Sequence, residues 1–340
     1  MSGSSTKPPL RSIRAATLAC LLVTLCVTAL LAGLSVGSSG MEPFWTLLTD
    51  PVAAQIIFEI RMPRTLGALL AGGLLGLAGA LAQGLFRNPL ADPFLLGSAS
   101  GASAGVALVL VSFGLSPVAT QWFIKLGLTG AAFLGAILAV FLTLSLARGV
   151  QHTLRLLLAG VIVGVVLGAL TSLLSLTHPD ILQSMQAFML GSTAFVSGPA
   201  CAIMGVVWLV CNASGIALSR VLDALALGEA TALSLGLPLN QLRVVLIGIL
   251  ALATGTAVAQ TGLIAFVGLA APHLVRAIVR VRYAWLLPLA SLMGALLLSI
   301  ADLSARGLIA PQELSVGVLT ATLGGGYLMW LMNHQGPTHD

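Results

Sequence analysis

Gly67-Ala68-Leu69-Leu70-Ala71-Gly72-Gly73 lies inside an uncharged apolar run from residue 65 to 86. At 1.5 Å of rise per residue, a helix over that run crosses a hydrocarbon core ~30 Å thick. The run shows no apolar–polar alternation, so it does not read as a strand of a membrane β-barrel. Its small residues let helices approach closely in lipid, where packing replaces the hydrophobic effect as the force between spans.

The same composition extends outward through the chain. Of 340 residues, 58% are hydrophobic and only 7% are charged, and the mean hydropathy is +1.07. A soluble domain carries about 25% charged residues, so there is too little polar surface here to face water. The length accommodates roughly eight to eleven spans. Apolar runs fall near 15–37, 65–86, 94–113, 126–147, 154–176, 198–219, 241–260, 263–280, 284–301 and 314–333. The first is longer than the ~7–15-residue apolar core of a secretory signal and reads as a span. The seventh and eighth are parted only around Gln260-Thr261-Gly262, which leaves their limits open. The chain then divides into a cytoplasmic tail (1–14), a transmembrane domain (15–334) and a second cytoplasmic tail (335–340).

Charge supports this count. With ten spans, Arg61, Arg64, Lys125 and Arg306 fall outside, and the other eleven of the fifteen basic residues fall inside, as the positive-inside rule requires. Cys20, Cys26, Cys201 and Cys211 show no metal-ligand or C-x-x-C spacing and read as small apolar fillers.

Chemistry has little foothold. No G-x-x-x-x-G-K-[ST] occurs, and the only lysines are Lys7 and Lys125, so the chain has no P-loop for ATP. No Ser/His/Asp set, H-E-x-x-H or paired carboxylates appear. The expectation is no catalytic site, no cofactor, no metal and no nucleic-acid partner. Ion-coupled carriers keep ionisable residues inside their spans. Here Asp302 comes closest, and Arg306 one turn on makes a local i,i+4 pair the plain reading. Uphill transport would draw its energy from another subunit. An ion-gradient-driven secondary transporter without an ATPase is the alternative, and a membrane protein without transport is a third.

Three polar stretches stand out. Residues 220–243 place apolar residues at helical spacing, broken by Gly228 and Gly236. They read as two short helices at the inner surface, either an interfacial loop or a dock for a cytoplasmic partner. Arg61 and Arg64 frame Met62-Pro63, and serve either to reach lipid headgroups or to meet an acidic partner outside. Asn88-Pro89-Leu90-Ala91-Asp92-Pro93 ends a helix and prevents its immediate restart.

Six ordered blocks carry a resemblance. They are Arg61-Met62-Pro63-Arg64 through Arg87-Asn88-Pro89-Leu90-Ala91-Asp92-Pro93; Leu156 to Gly160; Leu227-Gly228-Glu229 with Leu235-Gly236; Gly262 to Leu269 with Pro272-His273 and Arg276; Leu287-Pro288, Gly294, Asp302 and Arg306; and Glu313 to Gly317. In these the chain resembles the permeases of bacterial iron-siderophore, haem and vitamin B12 importers, over nearly all its length from about residue 58. The resemblance implies an all-α polytopic protein of about ten transmembrane helices in the bacterial cytoplasmic membrane, with both termini cytoplasmic. It implies a homodimer, or a close heterodimer, with cytoplasmic ATPase subunits and an external substrate-binding protein. By the same resemblance Arg61, Arg64 and Arg306 meet acidic residues on the binding protein. Asp223, Leu227, Gly228, Glu229, Leu235 and Gly236 belong to coupling helices at about 221–237. Asn88, Leu90, Thr153 and Leu154 form a cytoplasmic gate. The sequence departs from the family pattern at Leu154, where a small polar residue can stand, and at Gly324-Gly325-Gly326, where Gly-Ala-Pro is commoner.

Overall fold

In hydrocarbon no water pairs with backbone polar groups, so each apolar run closes its own hydrogen bonds as a helix. The computed structural model describes residues 10–37, 40–41, 51–113, 122–147, 153–309 and 312–334. Most of both predicted tails, 1–9 and 335–340, lies outside the described residues.

The helices, in chain order, are α1 (Leu10–Ser35), α2 (Met62–Phe86), α3 (Ser98–Phe113), α4 (Trp122–Leu146), α5 (Thr153–Thr177), α6 (Leu182–Leu190) and α7 (Gly198–Ala217). Then follow α8 (Ser219–Ala226), α9 (Glu229–Ser234), α10 (Leu239–Thr261), α11 (Val267–Ile278), α12 (Tyr283–Gly307) and α13 (Val316–His334). A two-residue antiparallel ladder, Val36–Gly37 with Gly40–Met41, follows α1. Every predicted apolar run therefore contains a helix, and the described residues are all-α apart from that ladder.

The central element is α2, which is buried without a break from Ala71 to Phe86. Its glycines make that depth possible. A Cβ at Gly72 or Gly76 would overlap the carbonyls of Gly294 or Ala290 on α12, and one at Gly79 would overlap Gly268 at the head of α11. A similar small-residue seam joins α3 to α4, through Gly101 and Gly135. Around this centre α1 lays one stripe, Ala15, Leu18, Leu22, Cys26 and Ala29, against α12. Its other faces leave Leu21 and Val27 exposed, as suits a helix with lipid on its far side.

Several expected boundaries shift. Seven of the described helical segments are long and apolar enough to cross a bilayer, among them 54–86, but α3 and α11 are shorter. The twelve residues of α11 reach only about 18 Å. Before α11 the chain runs non-helically through Gly262 to Phe266, with positive φ at both ends of that stretch. Non-helical backbone at such depth is tolerated where protein covers it. Leu263 N donates to Phe188 O at 3.1 Å and Ser192 N to Thr261 O at 2.7 Å. Span two starts earlier than residue 65: Pro51–Ile56 runs through a π-helical turn, Ile57–Arg61, directly into α2. The short helix α6 has no counterpart in the sequence reading, because nine residues of mixed polarity between two spans carry no membrane signal.

Candidate functional site

Two polar assemblies sit at opposite ends of the bundle. The first gathers at the end that the charge distribution assigns to the outside. Arg64, in the first turn of α2, directs Nε to Asp302 Oδ1 at 3.1 Å and Nη1 to Glu313 Oε2 at 2.7 Å. Asp302 comes from α12 and is fully buried. Its second oxygen pairs with Arg306 Nη2, and Thr193 Oγ1, just before α7, donates to its first at 2.5 Å. Arg306 also donates to Thr65 Oγ1 at 3.1 Å and to Gly33 O, at the end of α1, at 3.1 Å. One carboxylate thus ties together α2, α12 and the approach to α7, and its two arginines extend the tie to α1 and α13.

This corrects the local reading of Asp302. Its pair with Arg306 exists, but Arg64 shares the carboxylate from 238 positions away in the chain. The same network fixes the state of two predicted docking residues. Arg64 is 8% exposed and Arg306 2%, so neither is a free surface cation in the single chain. Arg61 is half-buried, and its Nη1 donates to Leu34 O at 3.2 Å. Sequence reasoning missed Thr65, Thr193 and the ionic role of Glu313. An Asp within a span of so poorly charged a chain was the available signal, since intramembrane charges require partners.

The second assembly is at the other end. The predicted helix pair forms as α8 and α9, beginning two residues ahead of the expected 221. Gly228 and Gly236 bound α9 with φ of +115° and +75°, a region where a side chain is strained and glycine is not. Asp223 and Glu229 both turn inward. Asp223 Oδ1 accepts from Tyr283 N at 3.0 Å at the head of α12, and Glu229 pairs at 3.0 Å with Arg243 of α10. Leucines face outward instead. Leu227 is 72% exposed, Leu233 56% and Leu235 64%. The acids anchor the platform and the leucines form its face.

Beside it, α2 ends at Arg87, whose φ of +50° marks a left-handed stop. Asn88 Oδ1 accepts from Leu90 N at 2.9 Å, and Asp92 Oδ1 accepts from Phe94 N at 2.7 Å. These two side-chain caps make 87–97 a rigid corner. Gly160 of α5 sits directly against the Leu95 carbonyl of this corner. Leu90 (49%) and Leu154 (70%) are exposed. Thr153 opens α5, but its side chain is outside the described part. At the same end Arg276 of α11 donates to Gln83 Oε1, and Gln83 Nε2 donates to Leu269 O at 3.2 Å.

A many-helix bundle with an ionic clasp at one end and an apolar platform on short helices at the other defines a multi-pass membrane protein. Comparison with known proteins agrees. Residues 21–334 match the FecCD transport family. The hemin transport system permease protein HmuU of Yersinia pestis is 37% identical over 321 residues, covering 93% of this chain and 94% of that one. The ferric enterobactin transport system permease protein FepD of Escherichia coli (strain K12) is 38% identical over 317 residues, 93% of each. A solved inward-facing structure of a metal-chelate type ABC transporter superposes with a TM-score of 0.83 at 31% identity, covering 94% of this chain and 99% of its own. The chain belongs to the FecCD transport family, and it is a multi-pass permease of the ABC-importer type.

Proposed function

We propose that this chain forms the membrane path through which an intact metal chelate enters the cytoplasm, driven by ATP hydrolysed on separate subunits. An iron–siderophore complex is the first candidate cargo and haem or cobalamin the next. The observation that carries the reading is the leucine face of α8 and α9. Leu227, Leu233 and Leu235 project from short helices anchored by Asp223 and Glu229. An apolar face on a charged, rigid mount suits docking of a soluble protein. That protein is the cytoplasmic ATPase, which supplies the P-loop missing here. Relatives named for hemin and for ferric enterobactin support a chelate cargo. Two copies of the chain enclose the path, with both termini cytoplasmic and with Asn88, Leu90, Thr153 and Leu154 at its inner mouth. Proteoliposomes holding the permease and its ATPase should accumulate labelled ferric siderophore with ATP inside and no ion gradient. Uptake that follows an imposed proton or sodium gradient and ignores ATP would instead establish a secondary carrier.

An external binding protein delivers the cargo at the Arg61 end. Arg61 and the Nη1 edge of Arg64 are its direct contacts, and Arg306 holds that surface in shape. Rim charges mainly set association rate and salt dependence. Arg61→Glu should weaken docking about 2–5-fold, and an acid-to-basic change on the binding protein should restore part of it. A double-mutant cycle with zero coupling would leave Arg61 as a headgroup contact only.

A further inference from the structure

The Arg64 guanidinium is held differently on its two edges. Its Nε faces Asp302, whose side chain is 1% exposed and is shared with Arg306 and Thr193. Its Nη1 faces Glu313, whose side chain is 33% exposed. One edge is locked into the protein, and the other is closed by a carboxylate that water and a soluble partner can reach.

Glu313 stands three residues ahead of α13, on a segment that fastens two other elements. Leu314 N donates to Ala305 O of α12 at 3.1 Å. Ser315 Oγ donates to Leu190 O at 2.7 Å and to Gly191 O at 2.5 Å, and Gly317 N donates to Gly191 O at 3.3 Å. Gly317 lies so close to the Leu190 carbonyl that a Cβ would not fit. The Arg64–Glu313 pair therefore closes a strap that joins the head of α13 to the end of α6.

We infer that Glu313 is a built-in occupant of the docking position: an acidic side chain of an external protein takes Arg64 Nη1 from Glu313, and the Glu313 end of the strap is released while Leu314, Ser315 and Gly317 keep their bonds to α12 and the end of α6. The inference rests on the docking reading above. Its physical basis is exchange rather than rupture. Opening the strap alone would leave the nearly buried Arg64 with half its charge-assisted bonds, which is costly. Replacing one carboxylate with another keeps the guanidinium paired throughout. Release is thereby tied to the arrival of a carboxylate of the right reach. Asp302 cannot be exchanged in this way, because it is fully buried and has three bonds to hold, from Arg64, Thr193 and Arg306.

The test uses the full permease–ATPase complex in lipid nanodiscs, with Cys20→Ser and a nitroxide on Gln312→Cys. The probe is the purified soluble substrate-binding protein on which the docking reading depends. The label should be immobile in the resting complex, and it should become mobile in Glu313→Gln without any partner. It should also become mobile in the wild-type strap when the binding protein docks. Glu313→Gln should bind that protein about 2–5-fold more tightly, since an internal competitor is gone. If Glu313→Gln fails to insert, Glu313→Asp withdraws the carboxylate by one methylene and should give intermediate mobility. A label equally immobile in the variant overturns the strap. A label that stays immobile while the binding protein is demonstrably bound overturns the exchange. Binding that never occurs removes the docking reading itself, and the exchange with it.

Discussion

Leu227→Asp is expected to abolish co-purification of the ATPase while leaving the permease inserted and folded. Leu227 is 72% exposed in the single chain, so a carboxylate there meets water and costs the fold little. In the docked complex the same carboxylate would be enclosed in an apolar interface without a partner. An uncompensated buried charge costs about 3–5 kcal/mol, or roughly two to three and a half decades in association constant. Leu227→Ala removes contact area only and should lose far less. The measurement is the ATPase retained per permease after affinity purification, with basal ATP turnover as a second readout. Full retention in the Asp variant would place the ATPase elsewhere on the inner face. Asp223 and Glu229 should behave differently from Leu227: they are bonded to α12 and α10, so their loss should loosen the platform and lower the melting temperature.

The second large effect is expected at the opposite end. Asp302→Ala leaves the Arg64 and Arg306 guanidiniums facing one another in a buried site with their shared carboxylate removed. Breaking a buried pair from one side costs about 3–5 kcal/mol, and here two cations lose their shared carboxylate together, with Glu313 left on Arg64 alone. The predicted result is a sharp fall in detergent-solubilised melting temperature and in membrane yield, with Asp302→Asn intermediate because it still accepts hydrogen bonds. Thermal unfolding followed by size-exclusion chromatography measures it. A melting profile equal to wild type would mean that the network adds nothing to the fold.

Different physics made different parts of this molecule legible. Solvent choice was readable throughout, because 58% apolar and 7% charged residues admit only lipid around the chain. The helices followed, since a span must satisfy its own backbone. The α8–α9 pair was readable because Gly228 and Gly236 punctuate an apolar period that is too short to cross a membrane. Boundaries were not. Non-helical backbone from Gly262 to Phe266 looks apolar and continuous in sequence, and only its cover by neighbouring helices makes it possible.

Which charges meet was decided by the tertiary structure alone. Helical periodicity relates residues three or four apart, so Asp302 with Arg306 was visible, while Arg64 with Asp302 and with Glu313, at separations of 238 and 249, was not. Nor could sequence tell that Asp223 and Glu229 turn inward while Leu227 turns out, since α8 and α9 are too short for their own pattern to say which face the bundle takes. By itself the sequence determined the solvent, the helices and the order of the polar turns, because each depends on local composition. Burial of Arg64 and Arg306, the anchoring of the leucine platform and the strap at Glu313 depend on which helix lies beside which, and that is set by small-residue seams such as Gly79 on Gly268, whose partners only packing selects.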